Sequence, residues 1–394
     1  MDVVSPLERK RIVERQKWLA ALALCSFATH LLFFFRYPSG DVVMYVMRWY
    51  AQIVAEGRFA VFASPFSNYT PPYLYLLSAS SLLDGLVLSF YVIKLLSLVG
   101  GAWLIFASYR LLQALYVTPA SAFLVGCLPS VVANTSLLGQ ADTYWVAPCV
   151  LALGAAVRER WSWVAFWSGL AFAFKAQAIF FAPLALHLFV TRQVPWKVWL
   201  VAPATYVGAM VPAWLAGWPV WDLATIYFRQ ALWQPDHGGY FISNGASWWT
   251  IYGWLDPSLA LQTFWIGFAL AAMVVFAALV FVPALAGRKL IVLSVLSAAL
   301  MPFLLPGMHE RYYLLADVLA FIYALGFPSR RSVVAAVSIQ LASALPVYVW
   351  AFEAQPLQVV APLIAAFGIF LLLRELSAPS KLSSWRSAEH ILPA

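Results

Sequence analysis

Residues 288–313 read RKLIVLSVLSAALMPFLLPGMHERYY. A basic pair, Arg288-Lys289, precedes an apolar run over 290–305, and a Pro-Gly turn then leads into His309-Glu310-Arg311-Tyr312-Tyr313. Such a run suits the hydrocarbon core of a bilayer, about 30 Å thick, which a helix of roughly 17–25 apolar residues crosses. Basic residues beside a span mark its cytoplasmic end. The His-Glu-Arg group therefore falls on the outer side, where the same rule does not place an arginine.

Working outward, the same grammar recurs. Apolar runs lie at 18–35, 71–88, 91–109, 118–135, 143–157, 161–174, 177–191, 198–215, 261–282, 290–305, 313–327, 332–350 and 357–373. Basic turns at Arg158/Arg160, Arg192/Lys197, Arg288/Lys289, Arg330/Arg331 and Arg374 alternate with them from residue 158 onward. Thirteen runs cannot leave both termini inside. The run 118–135, interrupted by Pro129, is expected to be re-entrant, since broken backbone is tolerated at that depth only when other helices bury it.

Composition agrees. Of 394 residues, 63% are hydrophobic and 10% charged, against about 25% charged in a soluble domain. The expected fold is an all-α polytopic membrane protein of about 12 crossings. A basic cytoplasmic N-terminus covers 1–17, one membrane domain 18–373, and a cytoplasmic tail 374–394. The run to Phe35 is longer than a signal-peptide core and is read as an uncleaved first helix. The net charge of +8 follows from basic inner turns, so nucleic acid is not an expected partner. Membrane lipids are, and the chain is expected to be a monomer. Cys25, Cys127 and Cys149 have no metal-site or disulfide spacing. Phosphate-cradling Gly-rich loops, His-Glu-x-x-His, Gly-x-Ser-x-Gly and Asp-x-Asp are all missing.

Two outer loops are long, 36–70 and 216–260. In the first, Val42, Tyr45, Val46, Trp49 and Ile53 keep helical spacing, which suits a helix lying along the membrane surface. Ionisable groups at membrane edges are functional candidates by default. Asp41 reads either as a general base or as an N-cap for 42–56. Asp142 reads as an N-cap for the following run or as a site residue, with Gln140 beside it able to pair with sugar hydroxyls. Lys175 either snorkels to the interface or faces a phosphate. Arg311 suits bidentate phosphate recognition, with a Glu310 salt bridge as the structural alternative. Trp248, in Asn244-Gly245-Ala246-Ser247-Trp248-Trp249, stacks on a sugar or sits in the interfacial belt.

Taken in order, these motifs resemble the GT-C superfamily of membrane glycosyltransferases. They are Asp41 with Tyr45 and Trp49, Tyr69-Thr70-Pro71-Pro72-Tyr73, Gly139-Gln140-Ala141-Asp142, Lys175-Ala176-Gln177, Asn244 to Trp249, and His309-Glu310-Arg311-Tyr312. The order is most similar to bacterial relatives of GPI mannosyltransferase II (PIG-V) and to polyprenyl-phosphate-mannose-dependent mannosyltransferases. The resemblance covers about residues 36 to 313. It implies a GT-C-like helical bundle in the plasma membrane and a polyprenyl-phosphate-linked sugar donor, mannose favoured. The implied acceptor is a glycolipid or cell-envelope glycan on the outer face, and transfer inverts the anomeric carbon. Asp41 takes the position of the base. His309, Arg311 and Lys175 are implied for the donor phosphate. Substrate contacts are implied for Trp49, Tyr69, Gln140, Asp142, Asn244, Trp248 and Glu310. No organic cofactor is implied. Val42 and Val43 follow Asp41, so the acid pair that many relatives carry is missing, which favours a metal-free mechanism and leaves the metal requirement open.

The chemistry is consistent with one carboxylate. A glycosidase needs an acid to protonate its leaving alcohol. A polyprenyl phosphate leaves as a stabilised anion, so a base alone suffices. The competing expectation is a multi-spanning transporter or lipid flippase without covalent chemistry. It lacks the internal repeat that such proteins often show.

Overall fold

The computed structural model describes residues 6–36, 40–236, 245–255, 268–275, 283–351 and 359–378, which are helical with no strand. Residues 1–5 of the expected N-terminal tail, 379–394 of the C-terminal tail, most of the 261–282 run, most of the turn near 351–356 and Asn244 lie outside these residues. Helices long and apolar enough to cross a membrane are Gln16–Phe34, Ser89–Ala114, Trp196–Leu215, Gly287–Leu304, Arg330–Val349 and Val360–Ser377. The chain is a multi-pass membrane protein.

One departure from the sequence reading concerns the region before residue 143. The run 71–88 does not form a crossing: its helix, Pro71–Ser80, has 10 residues, about 15 Å of rise, half of the roughly 30 Å core. A three-residue 3-10 turn ends it at Leu83. The next helix starts at the same end of the bundle, because Lys94 Nζ donates to the carbonyls of Phe33 and Phe34 at 3.1 and 3.0 Å, and to that of Arg36. The run 118–135, expected to be re-entrant, is a bent pair of short helices, Pro119–Gly126 and Pro129–Leu137, at 57°. Pro129 opens the second piece because a proline lacks the donor that an unbroken helix requires.

At the centre lies Thr143–Val157, whose side chains from Thr143 to Ala156 are all buried. A helix apolar all round belongs in such a position. It packs on Ser89–Ala114 and on Trp161–Phe174. Gly154 packs closely against the Leu111 backbone. The central helices are short: 15 residues here, 14 in Trp161–Phe174 and 13 in Leu314–Gly326. Each rises about 20–22 Å. Polar turns at 138–142, 175 and 305–313 complete their ends, and all three meet at one end of the bundle. Gly139 makes the first turn possible with a φ of +70°, a region that only glycine enters freely.

The opposite end carries the basic turns. There Arg158 donates to the Arg110 carbonyl, while Arg288 and Arg331 converge on Glu375. Arg288 and Arg331, expected as topology markers alone, therefore also tie the last helix to its neighbours.

Candidate active site

The segment after the first helix supplies the entrance wall. From Gly40 the chain is again helical, through a wide turn at Val42–Val46 into Met47–Glu56. Of the expected stripe, Val42, Val46, Trp49 and Ile53 are buried and Tyr45 is half-buried. Asp41 makes no side-chain capping bond to this helix. The capping alternative fails because its carboxylate turns away from the backbone donors, to Arg311 Nη2 at 2.8 Å.

Asp142 likewise makes no side-chain cap. It is fully buried and accepts hydrogen bonds from three elements, with a fourth close by. Lys175 Nζ lies at 2.5 Å, Trp145 Nε1 at 3.0 Å and Asn134 Nδ2 at 3.1 Å. Arg311 Nε stands 3.3 Å away. Arg311 also holds Glu310 at 2.9 Å, and His309 Nδ1 is 3.8 Å from the other Glu310 oxygen. The result is one network in which three carboxylates surround two permanent cations. Asp41 is its accessible acid, with a side chain 32% exposed against 0% for Asp142 and 6% for Glu310.

Burial alone drives carboxylates toward the neutral form. For Asp142 it does so, but Lys175 and Arg311 outweigh it and hold the carboxyl below its usual range. Burial likewise raises Glu310, and Arg311 with His309 overrides it, bringing that carboxyl to about 2. Burial disfavours the Lys175 ammonium, yet Asp142 raises its pKa overall. All three groups are charged at neutral pH.

Lys175 occupies a break between helices, in extended backbone at φ −161°. It does not snorkel; it is 5% exposed. Its ammonium is 5.3 Å from the Tyr69 ring centroid and 5.6 Å from that of Tyr312, within cation–π range. The Tyr-Thr-Pro-Pro motif fixes this wall. Thr70 Oγ1 donates to the Phe174 carbonyl at 3.2 Å, and Pro71 and Pro72 open the next helix, where their missing donors cost nothing. Trp49 packs on Tyr69 with ring centroids 4.9 Å apart.

These groups line one cleft: Asp41, Tyr45, Val46, Trp49, Asn68, Tyr69, Gln140, Lys175, Gln230, His309, Arg311 and Tyr312. Of the residues expected at the site, the structure thus brings together Asp41, Trp49, Tyr69, Gln140, Lys175, His309 and Arg311. Asp142 and Glu310 sit behind them, touching the cleft residues and not the cleft. Trp248 is elsewhere. Its indole N–H and that of Trp249 donate to the Leu304 carbonyl at 3.4 and 2.7 Å, and Ser247 Oγ donates to the Phe303 carbonyl at 3.1 Å. A helix leaves its last carbonyls without internal partners, and this motif supplies them for Gly287–Leu304. Gly245 allows the approach, since a Cβ there would stand 2.4 Å from the Met308 carbonyl oxygen.

Lys94, Asn68 and Gln230 were not expected among the functional residues. Lys94 had a signal in the sequence, a lone charge inside an apolar run. The two amides had none. Among the described residues no group of three or more His, Cys, Asp or Glu side chains is arranged to hold a metal. A scan against protein-family models and a search of curated proteins each return no match.

Proposed function

We propose that the chain is an inverting membrane glycosyltransferase of the GT-C type. It moves a sugar, mannose favoured, from a polyprenyl-phosphate donor to a hydroxyl of a lipid-linked or cell-envelope glycan. In this reading the bundle has about 12 crossings, and the cleft faces the outside of the plasma membrane. The crossing count rests on removing 71–88 from the spans and counting the bent pair over 119–137 as one crossing, which leaves both termini on one side. The orientation rests on the basic turns, which gather at the end remote from the cleft.

The observation that carries the reading is the pair Asp41–Arg311. A partly exposed carboxylate lies 2.8 Å from a buried guanidinium, in a cleft that also presents His309 and an aromatic wall. Base and phosphate partner are thus adjacent. Asp41 takes the acceptor hydroxyl's proton as that oxygen bonds to the anomeric carbon. The bond from that carbon to the phosphate oxygen breaks on the opposite face, and its electron pair stays on the phosphate. Arg311 and His309 stabilise this charge, as preorganised donors do most effectively away from water. Donor phosphate competes with Asp41 for Arg311 Nη2, so donor binding loosens the carboxylate for its work. Lys175 is already matched with Asp142, so it acts as a positioning residue and a nearby positive field. Trp248 belongs to the helix cap and has no substrate role here.

The test is incubation of purified protein with a panel of polyprenyl-phosphate sugars and a glycolipid acceptor, with release of free polyprenyl phosphate measured. Sugar-dependent release supports transfer. Substrate-dependent transport with no release from any donor replaces this reading with a transporter.

A further inference from the structure

Three carboxamides line the cleft, and each comes from a different element. Asn68 lies on the link before the Pro71–Ser80 helix, Gln140 on the turn made by Gly139, and Gln230 on the helix Val220–Asp236. The position of Gln230 is fixed. Tyr227, three residues earlier, shares its helix face. Its hydroxyl donates to the Phe172 carbonyl at 2.5 Å and meets Thr70 Oγ1 at 3.2 Å. Thr70 is two residues from Asn68 and is itself tied to the Phe174 carbonyl. The Thr70–Tyr227 contact therefore bridges the two elements that carry Asn68 and Gln230.

A carboxamide offers a carbonyl acceptor and an NH₂ donor, and a hydroxyl both donates and accepts. Amides thus match a ring of hydroxyls and provide no counter-ion for a charged substituent. The adjoining Trp49 and Tyr69 rings suit the apolar face of a pyranose. The nearby ammonium of Lys175 is matched by Asp142 at 2.5 Å, so a ring carboxylate would meet no unmatched lysine. We propose that Asn68 and Gln230, with Gln140, form the hydroxyl-reading part of the cleft and select a neutral hexose. This rests on the transfer reading above and assigns the residues that read its sugar.

The experiment uses the full chain in lipid nanodiscs with polyprenyl-phosphate mannose, its deoxy analogues and the corresponding uronate. Asn68→Ala and Gln230→Ala are each expected to lower kcat/KM for the mannosyl donor about 10-fold or more. The deoxy analogue lacking the hydroxyl that an amide reads should be penalised in the wild type and not in that variant. The uronate should be transferred at least about 100-fold less efficiently than the hexose. Both variants within twofold of the wild type on hexose and deoxyhexose, or a uronate used as well as the hexose, overturns the proposal. Thermal stability is read on each variant, so that misfolding is separated from lost recognition. If the wild type releases no polyprenyl phosphate, the transfer reading falls and binding of tritiated polyprenyl-phosphate mannose decides this one. Retention weakened about 10-fold in both variants upholds it; equal retention, or no binding by the wild type, overturns it.

Discussion

Replacing Asp142 with Asn keeps the side-chain volume and removes one buried charge. The consequence follows from its partners. Asp142 is the sole ion-pair partner of Lys175 among the described residues, at 2.5 Å. Lys175 is 5% exposed, so water in the cleft replaces the carboxylate only in part. Arg311 keeps Asp41 and Glu310 and suffers less. Breaking a buried pair from one side costs about 3–5 kcal/mol, whereas removing both charges costs much less. Asp142→Asn is therefore expected to lose about 3–5 kcal/mol, and the double variant Asp142→Asn/Lys175→Met is expected to recover most of it. At roughly 2 °C per kcal/mol for a chain of this size, the single variant melts about 6–10 °C lower. Cys149 supplies the probe. It is fully buried on the helix that Asp142 precedes. With Cys25 and Cys127 replaced by Ala, a thiol-reactive dye in detergent follows its exposure on heating. A single variant within about 2 °C of the parent, or a double variant no more stable than the single one, refutes the reasoning.

The network also sets a pH window. Glu310, held at about 2, and Asp142, held below its usual range, stabilise the fold above their unfolded values. That contribution is lost as pH falls through the folded ones. Lys175, raised, contributes below its unfolded value and loses that contribution as pH rises through the folded one. The difference in melting temperature between the wild type and Glu310→Gln should be level from about pH 5 to 9 and shrink on the acid side; a midpoint of that difference inside the window counts against the network. Lys94→Met removes three donors from the end of the first helix and loosens the segment that carries Asp41. We expect kcat to fall about 10-fold with little change in donor KM, the pattern of a misplaced group; a rise in KM alone contradicts it. Trp248→Phe and Trp249→Phe should each cost about 1 kcal/mol of stability through lost caps and leave donor KM unchanged, as read by melting and steady-state kinetics.

Much of this was legible in the sequence. Apolar runs located most helices, and charges placed against the positive-inside pattern marked Asp41, Lys175 and Arg311, which do meet. What was not legible depended on three dimensions. Ten helical residues from Pro71 and twenty-six from Ser89 follow from where the chain turns, which Lys94 fixes by a bond across about 60 residues. Asp41 and Asp142 stand before helical runs as capping residues do, yet a cation on a distant turn draws each carboxylate away. Trp248 carries the composition of a sugar platform, but Gly245 lets its loop pack on the end of a helix. Asn68 and Gln230 are ordinary polar residues until Thr70 and Tyr227 join the elements that bear them.

The most direct measurement is transfer by Asp41→Asn. The substitution keeps the shape, removes the proton acceptor, and leaves Arg311 with Glu310 and Asp142. With polyprenyl-phosphate mannose and a glycolipid acceptor, wild-type protein should release polyprenyl phosphate and the variant should lose about 100-fold or more in kcat. The variant should also bind the donor at least as well, because Arg311 Nη2 is no longer held by a carboxylate. Turnover by the variant at the wild-type rate contradicts the account.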